Sequence, residues 1–328
     1  MTVAEARCSI ASATVGEPVV GSAPRARAWL VLEQPGPYGF SATTDSHLPE
    51  AVRASLGSLP KDSGTTVLLA RAVGQHADVP GSVAGSRRFW FAHVVPGAVS
   101  MRTGVLGDDQ LLRPDLVDVV TSAAQGHLPG WGHESDELLL LVCTNARRDV
   151  CCALEGRPLA AALAADPTTA PYVLETSHLG GHRFAPTALL LPTGHAFGRL
   201  DAGAARSVLD AAARGELAAL DHHRGRTSHP QPLQVAEDAV RRAAGVTGIN
   251  DLDALGVVDG SASPVGLRWA GDEAEVRHRD GRRWRVPLRL EPLAAPRNES
   301  CGKALVEASC WVAGEPVEAA VVPDGASW

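Results

Sequence analysis

Two thiols and two imidazoles crowd the middle of this 328-residue chain: Cys143, Cys152, His178 and His182. Cys143 follows the apolar run Leu138 to Val142, which reads as a buried strand, and Cys152 comes after a gap of eight residues at the mouth of a predicted helix. Both thiolates can therefore point into one site. His178 and His182 enclose Leu179, Gly180 and Gly181. Histidines four apart on a helix are a familiar zinc arrangement, but two central glycines would cost such a helix about 1 kcal/mol each relative to alanine. The pair is therefore placed on a tight loop whose glycines let the backbone approach whatever the histidines hold. The glutamate that a His-Glu-x-x-His protease uses as its base is missing.

Two thiolates and two imidazoles suit either a closed tetrahedral zinc or a 2Fe-2S cluster with two Cys on one iron and two His on the other. The spacing favours the cluster. Zinc thiolates more often come as knuckles two to four residues apart, whereas thioredoxin-like ferredoxins carry a widely spaced Cys pair and then Cys-x-x-x-Cys. Here His-x-x-x-His stands in the place of that second pair.

Other residues near these motifs have plainer readings. Cys151 doubles Cys152 and competes with it for the second thiolate position. Cys8 is read as an idle thiol in a mobile terminus, and Cys301 and Cys310 as buried structural residues, since no histidine pair follows them. His195, after a Thr-Gly turn, is expected to face solvent. Arg147, Arg148 and Arg183 flank the site as loop charge that can offset a cluster or dock an acidic partner.

The elements that must position these groups fall into three stretches. Residues 1–134 form an N-terminal α/β region with strand-like runs at 29–32, 66–70 and 89–93 and a helix near 115–120. Residues 135–228 read as strand 138–143, helix 156–165, strands 172–177, 187–192 and 196–200, and helix 202–214. That order fits a small thioredoxin-like domain. Residues 229–328 open with a helical pattern from Leu233 to Ala243 and continue as strands, giving a smaller α+β domain. Asp280-Gly281 between alternating runs signals a hairpin, whose basic face, with Trp284, is expected to be solvated. The fold class is thus α/β, with a thioredoxin-like ferredoxin domain at its centre.

Composition narrows the function. Six cysteines in a chain this long are too few for a disulfide scaffold, so a local cluster reads as metal-binding or redox-active in a reducing compartment. A net charge of −7 argues against a nucleic-acid partner. The N-terminal stretch lacks a basic segment followed by an apolar one, and no stretch approaches the roughly 18 apolar residues of a membrane span. The expectation is a cytoplasmic protein without membrane partners.

At three places the chain resembles the sucrase/ferredoxin-like family, which includes the fungal Apd1-type proteins: "LEQPGPYGF" (32–40), "CTNARRDVCC" (143–152) and "SHLGGHRFAPTALLLPTGHAFGRL" (177–200). The resemblance covers roughly residues 8–215. It implies a thioredoxin-fold 2Fe-2S ferredoxin domain whose ligands, position by position, would be Cys143, Cys152, His178 and His182. The Arg-Arg-Asp element favours Cys152 over Cys151 as the second thiolate. The leading expectation is an electron carrier moving one electron, with proton coupling through imidazoles that solvent can reach, between a reductase and an acceptor. No Gly-x-Gly-x-x-Gly segment opens a convincing βα unit, so electrons must arrive from a partner protein. The alternative is a zinc-binding or redox-sensing regulatory module using the same four residues. A hydrolase would need two carboxylates flanking a sugar, and no motif singles out such a pair.

Overall fold

A computed structural model describes residues 7–77, 85–258 and 269–319; residues 1–6, part of the stretch read for a leader, lie outside it. Helix α1 (Cys8–Thr14) leads to β1 (Ala28–Glu33), then α2 (Ala42–Asp45), α3 (Glu50–Gly57) and β2 (Thr65–Arg71). β3 (Ser86–His93), β4 (Ser100–Gly107), α4 (Asp108–Leu111), α5 (Leu116–Ala124) and β5 (His133–Glu134) follow. Next come β6 (Leu139–Cys143), α6 (Val150–Ala164), β7 (Val173–Thr176), β8 (Ala188–Leu191), β9 (His195–Phe197), α7 (Ala202–Ala212) and β10 (His223–Arg226). The chain closes with α8 (Gln231–Ala244), β11 (Leu252–Val258), β12 (Trp269–His278), β13 (Arg283–Pro292), β14 (Arg297–Asn298), β15 (Leu305–Val306), β16 (Ser309–Ala313) and β17 (Val317–Ala319).

The class is α/β. Ten strands form one mixed sheet in the order β10-β9-β8-β6-β7-β2-β1-β3-β4-β5, continuous across residues 134 and 135. Its two halves meet where β2 and β7 pair antiparallel, Ala70 opposite Thr176 and Arg71 opposite Glu175. A buried ion pair of 2.8 Å between Arg71 and Glu175 lies across that seam.

Because successive strand residues face opposite ways, the apolar runs sort into two layers. Leu140 and Val142 of β6 pack on Leu159 and Leu163 of α6 and on Val208 and Leu209 of α7. Leu30 and Leu32 of β1 pack likewise on Val52 and Leu56 of α3 and on Leu116 and Val120 of α5. The alternate residues, Trp29, Val31, Leu139, Leu141 and Cys143, share the other face. All four helices therefore back one side of the sheet, and each fully buried large apolar side chain adds about 1.5–3 kcal/mol.

The start of α6 and the burial of His195 differ from the sequence expectation. Helix α6 begins at Val150 instead of 156, because the Asp149 carboxylate caps it by accepting from the Cys151 N–H at 2.9 Å. Pro158 is carried inside the helix, at the loss of one backbone hydrogen bond. Cys151 and Cys152 are thereby both in its first turn. His195, expected to face solvent, is fully buried, since β9 is an interior strand between β8 and β10. Its Nδ1 lies 2.9 Å from His223 Nε2 and its Nε2 lies 3.1 Å from the Ile249 carbonyl.

In the C-terminal part, α8 packs Leu233, Ala236 and Val240 against Leu252, Val276, Trp284 and Val286, so Trp284, expected on a solvated face, is buried beneath the helix instead. The Asp280-Gly281 turn joins β12 and β13 as a hairpin, and its charges pair locally, Arg282 with Asp280 at 2.9 Å and Arg279 with Asp251 at 3.4 Å. Among the described residues no helix is long and apolar enough to cross a membrane.

Candidate metal centre

The end of β6 fixes Cys143. Its N–H donates to the Thr187 carbonyl at 2.9 Å, and the next N–H, of Thr144, donates to Thr176 at 3.1 Å. Helix α6 then approaches so closely that a Cβ on Gly156 would stand 2.1 Å from the Cys143 carbonyl oxygen, so only glycine fits there. This brings Cys152 back over Cys143. The two sulfurs and one ring nitrogen of His178 lie within 4.8 Å of one another, and both cysteines are buried.

The hydrogen bond from Cys152 holds the Cys143 thiol well below its ordinary range, against burial and with help from His178. The same bond pushes Cys152 up.

The histidine loop is built as its glycines suggest. Gly180 and Gly181 have φ of 77° and 69°, in the left-handed region that disfavours other residues. A side chain at Gly181 would also strike Arg224, whose Nη2 would be 2.2 Å from the new Cβ. Arg224 is fully buried and braces the loop, donating to the Gly180 carbonyl at 3.1 Å and to Ser22 Oγ at 3.0 Å. Burial lowers its pKa to about 9, with Arg183 adding to the effect and Cys143 and Cys152 opposing it.

On this loop the His178 and His182 rings lie side by side, centroids 5.3 Å apart and planes at 31°. Nδ1 of each is buried and has no hydrogen-bond partner. The outer nitrogen of His182, Nε2, lies 3.6 Å from Asp149 Oδ2. Burial lowers the His182 pKa, and the Asp149 charge opposes that. Burial would raise Asp149, but N–H groups of Cys301 and Cys151 and the Ser300 hydroxyl draw it down to about 2.

Cys143, Cys152 and His178 thus come together from β6, α6 and the loop after β7, while His182, the fourth residue expected there, stands beside the His178 ring and outside that close group. Cys151 belongs to a second group with Cys8, Cys301 and Asp149, whose ligand atoms also lie within 4.8 Å of one another. The reading of Cys8 as an idle thiol in a mobile terminus is corrected: it opens α1 and is fully buried. Cys310, on β16, is half-buried and in neither group. Of the flanking arginines, Arg148 stacks on Phe40 at 4.4 Å and Arg183 pairs with Glu17 at 2.9 Å. A groove of about 740 Å³ reaches His182 between Phe40, Arg148, Arg183, Glu299 and Lys303.

Sequence reasoning missed Asp149, Gly156 and Arg224. Only Asp149 had an available signal, a capping residue type directly before a helix. The bracing by Arg224 depends on a strand forty residues further along the chain.

A sheet ending in paired thiols beside paired imidazoles defines a candidate metal-binding protein. The sucrase/ferredoxin-like family profile matches residues 21–225, and the chain belongs to that family. Searches of curated proteins and of solved structures return no significant match.

Proposed function

We propose that Cys143, Cys152, His178 and His182 hold a 2Fe-2S cluster, and that the protein passes single electrons between a reductase and an acceptor protein. The observation that carries this reading is the pair of buried, unpartnered Nδ1 atoms beside a buried thiol pair. A buried polar nitrogen left without a partner costs about 1–3 kcal/mol, which metal ligation would offset. The donor set, two sulfurs and two imidazoles, is the one that serves a mixed-ligand cluster. The order β7-β6-β8-β9, with β6 and β7 parallel and β8 antiparallel to β6, supports the thioredoxin-like reading of this part.

When bound, such a cluster supplies one reversible electron, at a potential raised by neutral imidazoles in place of thiolates. The chain's own residues do the rest. Arg224 and the two glycines hold the histidine loop at a fixed height over Cys143. Asp149 lies beside His182 Nε2 and favours a proton there, which gives electron transfer a route to proton coupling. The groove over His182 carries Arg148, Arg183 and Lys303 against Glu299, a face for an acidic redox partner. The cysteines, all unpaired, agree with a cytoplasmic site of action.

The test is the visible spectrum of anaerobically purified protein. A coloured sample bleached by dithionite supports the reading. A colourless protein carrying zinc on these four residues would overturn it in favour of a zinc-binding regulatory module.

A further inference from the structure

We propose a second metal site, adjacent to the first, in which one thiophilic divalent cation, zinc, is bound by Cys8, Cys151 and Cys301 with Asp149 as fourth ligand. The three sulfurs form a closed triangle: Cys8 to Cys151 3.6 Å, Cys151 to Cys301 3.4 Å and Cys301 to Cys8 3.6 Å. With a zinc–sulfur bond of about 2.3 Å, the edge of a tetrahedral site is roughly 3.8 Å. The observed edges are close to that value. A disulfide needs sulfurs about 2.05 Å apart and would leave the third cysteine over. An iron–sulfur cluster holds sulfurs on different irons a cluster's width apart, so three in mutual contact suit a single ion.

The surroundings are those of a ligand shell. Both Asp149 oxygens lie 3.6 Å from Cys8 Sγ. Oδ1 is fixed by the Cys151 N–H at 2.9 Å, and Oδ2 by the Cys301 N–H at 2.9 Å and the Ser300 hydroxyl at 2.8 Å. Oδ1, with one donor, keeps a lone pair free for a metal, and the carboxylate's orientation is set by these outer contacts. Two donors also reach the sulfurs, Ser9 Oγ to Cys151 at 3.3 Å and the Cys8 N–H to Cys301 at 3.4 Å. Such donors stabilise thiolate charge. Cys8 and Cys151 are fully buried, and Cys301 is half-buried at the groove. Three thiolates with one carboxylate select zinc over harder cations.

The ligands come from α1, α6 and the loop between β14 and β15, so the ion would pin both ends of the described chain to the helix carrying Cys152. Zinc is measured by elemental analysis of the full-length chain purified anaerobically from zinc-supplemented cells. The expected result is about one zinc per chain, falling to background in Cys8→Ser and in Cys301→Ser while the visible absorbance of the other site stays. Because Cys8→Ser can fail to fold, Cys301→Ser, at the half-exposed position, carries the variant test. Cobalt loading of the wild-type chain should independently give sulfur-to-cobalt charge-transfer absorption that Cys301→Ser removes. Zinc absent from the wild-type protein, retained in Cys301→Ser, or lost in Cys143→Ser but not in Cys301→Ser would overturn the proposal.

Discussion

Two sulfur groups meet at the first turn of α6, and they are built in opposite ways. Cys152 faces Cys143 and the His178 imidazole, with the His182 ring next to His178, all drawn from forty residues of continuous sequence, 143–182. Cys151, its neighbour, faces Cys8 and Cys301, the latter 293 positions from the former. Adjacent helical residues project about 100° apart, so one turn can serve two sites. The first group pairs sulfur with imidazole, and the His182 ring beside it reaches the same groove as Cys301 of the second. The second pairs sulfur with a carboxylate and draws its members from distant segments.

The sharpest division of the two groups is by cysteine replacement. Cys143→Ser and Cys152→Ser should abolish the visible absorbance, and Cys8→Ser and Cys301→Ser should leave it, as read by an anaerobic spectrum. Loss of colour in Cys151→Ser with retention in Cys152→Ser would exchange the roles of the two neighbours.

Glu237 provides a control distant in kind from either group. Buried on α8, it accepts from Arg241 at 2.9 Å and lies near Arg226 and His229, at 3.8 and 3.6 Å. Burial alone would raise its pKa, but Arg241, Arg226 and His229 hold it at about 2. A depressed carboxylate stabilises fully above its unfolded value and loses that contribution as pH falls. Stability should therefore decline from about pH 4.5 towards pH 2. Glu237→Gln should cost about 3–5 kcal/mol by leaving buried arginines unpaired, measured by urea unfolding at neutral pH. It should also flatten that acid limb. A variant that stays folded should keep its colour, separating unfolding from loss of a site.

Gly156→Ala tests how tightly α6 must sit on β6. A Cβ placed 2.1 Å from the Cys143 carbonyl forces the helix away. The expected cost is about 1–3 kcal/mol in thermal unfolding, with a broadened spectrum as Cys152 shifts from Cys143. An unchanged melting temperature would show that the close approach is not needed.

How much of this was legible follows from the same contrast. The apolar runs at 29–32, 66–70, 89–93 and 138–143 mark β1, β2, β3 and β6, because strands buried on both faces are continuous apolar segments. The left-handed glycines between the histidines were readable as a loop for a local steric reason. Cys8 and Cys301 were not readable as partners of Cys151, since nothing in their neighbourhoods encodes a contact made only when both ends of the chain return to α6. His195 was misread for a similar cause: its burial depends on His223, which arrives with a later strand. The start of α6 turned on one carboxylate, Asp149, which the Cys-Cys motif and Pro158 obscured.

A milder change sharpens the mixed-ligand claim. His178→Cys or His182→Cys should keep a cluster at a lower midpoint potential, because each adds a thiolate charge. An unchanged midpoint in a cluster-bearing variant would count against that histidine. The midpoint of the unaltered protein should fall with rising pH by about 59 mV per unit where one proton accompanies each electron.

The most direct measurement is pulsed EPR of the dithionite-reduced full-length protein, prepared with nitrogen-15 histidine. The account predicts strong hyperfine coupling from two imidazole nitrogens, one of which disappears in His178→Cys and the other in His182→Cys. A reduced cluster with no histidine coupling, or coupling untouched by either change, would contradict it.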